Sequence, residues 1–173
     1  MPLWCDYNGT SLGCEFKPSL SHLKLDQIFR ILFKVLQNNG YVMIWVLEQT
    51  EEVTRQRMKE RRYDYRALII WEKVTKNDKQ VNGNGWVTRH SIETLLIFRK
   101  GNVRKMAKYQ VCRELIRANV RKSSLKPDEV MDEVLKLVPC QDYVEVYARK
   151  ENLTPNVVSV VNQVNGTKSL NLK

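Results

Sequence analysis

Apolar residues recur at helical spacing through Leu25, Ile28, Phe29, Leu32, Phe33 and Leu36, which predicts an amphipathic helix over 25–37. Asn38-Asn39-Gly40 ends it, because Asn and Gly tolerate the left-handed conformation of a helix stop. The wholly apolar, β-rich run from Tyr41 to Leu47 then predicts a central strand covered on both faces. Residues 49–62 are charged and poor in β-formers, the pattern of an exposed helix ending in Arg61-Arg62. Ala67 to Val74 predicts a second strand, Lys76 to Gly85 a polar loop, Thr94 to Arg99 a third strand and Leu115 to Arg121 a weaker fourth. Pro127, Asp128 and Glu129 suit a helix start, with proline in the first turn and acids at the positive end of the dipole. Val130, Met131, Val134, Leu135 and Val138 would form its buried stripe, and Pro139 would stop it. Tyr143 to Ala148 alternates like a strand, and Val157 to Val161 is a further short β-rich piece.

Strands alternating with helices imply an α/β layer fold with a mostly parallel sheet. Ligands in such folds sit outside the carboxyl ends of the strands, so the segments after Arg121 and Ala148 are the natural site positions. The length of 173 residues fits one domain, 1–173, with no internal repeat or linker. No apolar run approaches membrane-spanning length, so no membrane partner is expected. The four cysteines form no Cys-x-x-Cys pair and the only histidines are His22 and His90, which leaves no metal set and no disulfide framework.

Charge changes the picture more than composition does. The formal net charge of +10 favours an anionic partner, nucleic acid first and an acidic protein surface second. Two basic patches are candidates. Arg55, Arg57, Lys59, Arg61 and Arg62 alternate with Glu51, Glu52 and Glu60, which reads as a solvated helix face. Arg99, Lys100, Arg104, Lys105 and Lys108 have no acid among them and lead to Tyr109, whose ring can stack on a base; this is a phosphate-contacting loop or a plain surface loop. After Ala148, Arg149 and Asn152 combine a guanidinium and an amide, and Asn162 and Gln163 add two more amides. Such groups hold ribose hydroxyls, an adenine edge or a carboxylate, and equally cap a turn.

Several stretches, in order, resemble the eukaryotic N(6)-adenine methyltransferase (MT-A70) family, most strongly over 41–166. They are Met43-Ile44-Trp45-Val46, Ile69-Ile70-Trp71-Glu72-Lys73, His90-Ser91-Ile92-Glu93 with Phe98-Arg99-Lys100-Gly101, and Arg121 through Glu129. Arg149, Asn152, Pro155-Asn156, Asn162-Gln163 and Gly166 then fall at the family's spacing. The resemblance implies a Rossmann-like S-adenosylmethionine-dependent methyltransferase fold, truncated at its N-terminus because the strand that would precede the catalytic motif is not in the chain. It also implies cofactor positions. Lys126 would meet the cofactor carboxylate, Arg149 and Asn152 its ribose or amino-acid part, and Asn162 and Gln163 the nucleoside, with Glu145 matching an acid at the same site.

The departures are as informative. Active members carry Asp-Pro-Pro-Trp, whose Asp and Pro oxygens accept hydrogen bonds from the adenine amine. Met1-Pro2-Leu3-Trp4 resembles a degenerate copy in which Met replaces the acid and Leu the second Pro; Trp4 also reads as an ordinary core or interface aromatic. Ala148 replaces a glycine of the family's cofactor loop and Glu151 a histidine. The expectation is therefore a non-catalytic subunit, with no catalytic residue and no cofactor of its own. It would pair in the nucleus with an active adenine methyltransferase subunit that holds S-adenosylmethionine, and help bind DNA or RNA. The alternatives are an active methyltransferase with a displaced acid, such as Asp6 or Glu15, and a stand-alone nucleic-acid-binding module.

Overall fold

Strands joined through a helix can lie parallel, whereas strands joined by a loop tend to fold back on each other. Both connections occur in the computed structural model, which describes residues 29, 39–83, 87–121, 125–139, 143–146 and 157–160. Strand β1 (Gly40–Val46) leads through helix α1 (Glu48–Glu60) into β2 (Asp64–Val74), and a loop returns the chain into β3 (Ile92–Lys100). A 3-10 turn at Arg104–Met106, strand β4 (Leu115–Asn119), helix α2 (Asp128–Leu137) and the short strands β5 (Tyr143–Val146) and β6 (Val157–Val160) follow. Of the helix expected over 25–37 only Phe29 is described; it is helical and buried.

The main sheet has the order β1-β3-β2-β4. β3 runs antiparallel to both β1 and β2, while β4 is parallel to β2. The expected mostly parallel sheet is thus corrected to a mixed one. β1, β2 and β4 point the same way, but the reversed β3 is inserted between β1 and β2, so two of the three pairings are antiparallel. The expected central strand, β1, is an outer strand among the described residues, although its side chains are buried on both faces. β5 and β6 pair in parallel as a separate two-stranded sheet.

Alternation along the strands divides the core in two. Met43 and Trp45, Ile69 and Trp71, Leu95 and Ile97, and Ile116 and Ala118 share one face, which Val130, Val134, Leu137 and Val138 of α2 cover. The opposite face carries Val42, Ile44, Leu96 and Phe98, and α1 lies against β1 and β2 with Thr50, Thr54 and Met58 buried. Helix α1 starts where the Thr50 hydroxyl accepts the Leu47 N–H at 3.2 Å. Glu48 and Glu51 in its first turn and Arg57 and Lys59 in its last complement the helix dipole. In α2 the buried stripe is Val130, Val134, Leu137 and Val138, a correction to the expected one. Leu135 is 37% exposed, and Leu137 faces the sheet instead.

Phe98 lies in β3, between β1 and β2, and is fully buried. Phe98→Ala should cost about 3–5 kcal/mol of unfolding free energy in a urea titration, and Leu135→Ala no more than about 1 kcal/mol.

Candidate functional site

β1, β2 and β4 end together at one end of the sheet, where β3 begins. Two indoles line this end. Trp45 and Trp71 meet edge to face with ring centroids 6.3 Å apart, and the Trp71 indole N–H donates to the Ala118 carbonyl at 3.0 Å. Glu93, opposite Trp71 in register, is one of the few charged residues in the core and is 9% exposed. An isolated carboxylate there would be costly, and two ammoniums compensate it. Lys73 on β2 reaches one Glu93 oxygen at 2.7 Å, and the Lys126 ammonium donates to the other. Lys126 also lies 5.1 Å from the Trp45 ring centroid and 5.9 Å from that of Trp71, within cation–π range. Burial alone would raise the Glu93 carboxyl, but Lys126 and Lys73 outweigh it and hold it below the ordinary carboxylate range.

Lys126 arrives on the segment joining β4 to α2. The Arg121 guanidinium grips that segment twice, at the Lys126 carbonyl (3.2 Å) and at the Asp128 carboxylate (2.5 Å). The segment after Arg121 was expected to be a site position, and it delivers Lys126, 8% exposed, to the carboxyl ends of the strands. Glu145, on β5, is also buried, and burial raises its carboxyl. Arg149, Asn152, Asn162 and Gln163 lie outside the described residues, as do Met1, Pro2, Leu3 and Trp4.

The basic segment lies at the other end of the sheet. Six residues of strand separate Glu93 from Arg99, about 20 Å. Arg99 is mostly enclosed, 3.9 Å from Asp64 and beside the Tyr41 phenol, and its Nε has no hydrogen-bond partner among the described residues. Lys100 lies 5.0 Å from the Tyr63 ring centroid. Lys105, Lys108 and Tyr109 are exposed, the last by 57%. The Tyr109 hydroxyl is 3.4 Å from that of Tyr41, whose phenol is pushed up to about 12 by burial and by Tyr109. Arg104 falls in the 3-10 turn.

The loop 101–114 is fastened to α2 by Glu133, which is fully buried. The Glu133 carboxylate accepts the Arg113 backbone N–H and guanidinium, each at 2.9 Å, and Lys136 at 2.9 Å. Burial opposes ionisation, but these donors hold its carboxyl down to about 2. Sequence reasoning did not single out Lys73, Glu93 or Glu133 as site or anchor residues. The available signal for Glu93 was a lone acid inside an otherwise apolar strand. Among the described residues no group of His, Cys, Asp and Glu is placed to hold a metal, and no helix is long and apolar enough to cross a membrane.

A central mixed sheet with helices is consistent with the methyltransferase fold that the resemblance implies, and comparison with known proteins gives the same family. The chain matches the MT-A70 family over residues 16–163 and belongs to it. It is 29% identical over 143 residues to the N(6)-adenosine-methyltransferase catalytic subunit METTL3 of Homo sapiens, covering 82% of this chain and 24% of that protein. The N(6)-adenosine-methyltransferase MT-A70-like protein of Drosophila melanogaster is 28% identical over 145 residues, covering 83% and 24%. The type II methyltransferase M.MunI of Mycoplasma sp is 32% identical over 88 residues, covering 50% and 35%. The chain spans about a quarter of the length of the first two.

The two buried charge clusters can be tested by mutation and by pH. Glu93→Gln removes the carboxylate shared by the buried Lys126 and the partly buried Lys73 and should cost about 3–5 kcal/mol, part of which Lys126→Met recovers in the double variant; a denaturant cycle over the four proteins measures both. Glu133 is a carboxyl with a depressed folded value, so its contribution is complete above the ordinary 4.5 and is lost as pH falls toward about 2. Stability should therefore fall more steeply over that interval in the wild type than in Glu133→Gln.

Proposed function

We propose that this chain is a non-catalytic subunit of a nucleic-acid N(6)-adenine methyltransferase complex. It stabilises an active MT-A70 subunit and contributes basic surface for DNA or RNA. The observation that carries this reading is the residue set at the family's motif positions. Met1-Pro2-Leu3-Trp4 resembles a degenerate copy of the motif with Met in place of the acid and Leu in place of the second proline, and by the same resemblance Ala148 replaces a loop glycine and Glu151 a histidine. A methionine thioether is too weak an acceptor to replace the carboxylate by which the motif acid orients an adenine amine. The relatives are named N(6)-adenosine-methyltransferases, and the human one is named a catalytic subunit, which supports a complex as the working unit. The nuclear setting and the partner's S-adenosylmethionine belong to the same proposal.

One observation favours a second reading, an active methyltransferase. Lys126, which the resemblance assigns to the cofactor carboxylate, lies at the carboxyl end of the sheet against the Trp45 and Trp71 rings. Against it, Lys126 is nearly enclosed and already engaged by Glu93, and an arriving carboxylate has to compete with that contact.

Methyl transfer to adenine in single- and double-stranded DNA and in RNA, with the chain alone, with an active homologue alone and with both, separates the readings. The chain alone should give no transfer above background and should raise the homologue's rate or half-life. Robust transfer by the isolated chain, with calorimetric binding of S-adenosylmethionine that Lys126→Ala abolishes, would establish the second reading instead.

A further inference from the structure

The two basic patches are far apart in sequence and were separate candidates, but the antiparallel pairing of β2 with β3 joins them. Asp64 pairs with Arg99 and Tyr65 with Phe98, so the end of α1 and the start of β2 meet the end of β3 and the loop that follows. Residues 55–66 and 99–108 together carry eleven Lys and Arg against two acids, Glu60 and Asp64, which is nearly the whole of the chain's formal net charge of +10. This charge lies at the amino ends of β1 and β2, the end of the sheet away from Lys126.

An open groove of about 730 Å³ runs between α1 and the start of β2, where Arg55, Lys59 and Arg66 outnumber the acids Glu52 and Asp64 and Tyr63 and Tyr65 supply rings. The register of β2 against β3 slips between Tyr65 and Ala67, so the strand is irregular where it borders the groove. Tyr65 presents a ring that is 40% exposed. The Arg55 guanidinium lies 3.7 Å from its centroid, and Phe98 meets it edge-on at 6.0 Å. Arg55 is itself held by Glu51 at 2.6 Å. Around the sheet edge, the exposed Lys105, Lys108 and Tyr109 continue the same end. Positive charge with interleaved aromatic rings in a groove of base-accommodating size is the chemistry of single-stranded nucleic acid. Phosphates take the cations, and unstacked bases take the rings. A duplex keeps its bases stacked and has no use for the Tyr65 groove.

We infer that the amino end of the sheet, from the α1–β2 groove to the Lys105–Tyr109 loop, is a binding surface for single-stranded nucleic acid, separate from the site around Lys126. This rests on the nucleic-acid part of the proposed function and not on the chain's catalytic inactivity.

Fluorescence anisotropy with a labelled single-stranded oligonucleotide and its duplex, over a range of salt, tests it on the chain alone. Lys59→Glu with Lys105→Glu reverses one charge in each patch. Lys76→Glu with Lys79→Glu makes the same change in net charge at the other end of the sheet, where both lysines are exposed. The first pair should weaken single-strand binding by about tenfold or more at low salt and flatten the salt dependence, by roughly 0.7 in the log–log slope for each phosphate that is no longer neutralised; the second pair should change it by no more than about twofold. Tyr65→Ala should remove the preference for single strand over duplex. Circular dichroism reads folding, and Arg61→Ala with Lys108→Ala is the milder pair. Equal weakening by the two charge-reversal pairs, tighter binding of duplex, or no binding by the wild-type chain would overturn the inference. The methyl-transfer assay would be unaffected by that result, so the chain's catalytic inactivity and this surface are tested separately.

Discussion

A single carboxylate between two ammoniums holds the carboxyl end of this sheet together. Glu93 belongs to the reversed strand β3, Lys73 to its neighbour β2 and Lys126 to the segment that leads into α2. Three segments meet on one side chain, and Lys126 also lies against the Trp45 and Trp71 rings. A buried ion pair is weak evidence of net stabilisation, but removing one partner of such a pair is expensive. That asymmetry fixes what must stay together. β3 must lie beside β2 in this register, and the segment carrying Lys126 must come down onto the ends of the strands. The α2 helix, whose Val130, Val134 and Leu137 cover the same face, is positioned by the segment that carries Lys126.

The insertion of β3 also separates the molecule's charges. Its reversed direction brings the acid at its start to the carboxyl ends of β1 and β2 and the bases at its end to their amino ends. One end of the sheet therefore holds a small, largely buried charge cluster beside two indoles. The other holds most of the chain's excess positive charge on an open surface. For the proposed role beside a catalytic partner, such a separation would let one end keep the family's core while the other meets a polyanion.

The elements were legible in the sequence because each announces itself locally. The apolar run of β1, the charged face and dipole-matched ends of α1, and Pro127-Asp128-Glu129 ahead of α2 need no tertiary information. Direction and order in the sheet were not legible. An apolar run such as Leu95 to Phe98 reads the same in either direction, so neither the reversal of β3 nor the outer place of β1 follows from pattern. The stripe of α2 was misread at Leu135, since helical spacing admits both it and Leu137 and only the neighbouring sheet chooses. Of the site, Lys126 was singled out through the family resemblance, whereas its partner was not. Glu93 lies 33 residues away, and although a lone acid beside an apolar run marks it out, nothing local says which cations will meet it. Glu133 is the same case. It reads as a solvent-facing acid until Arg113, twenty residues away, is brought against it.

Carbon-13 NMR titration of side-chain carboxyls, with Glu93 assigned by comparison with Glu93→Gln, reads the bridge at the centre of this fold directly. A Glu93 seated between Lys73 and Lys126 should have its midpoint below the ordinary carboxylate range, and that midpoint should move upward in Lys126→Met. A midpoint at or above that range, unchanged when Lys126 is replaced, would mean that burial dominates and that Lys126 is not seated on Glu93.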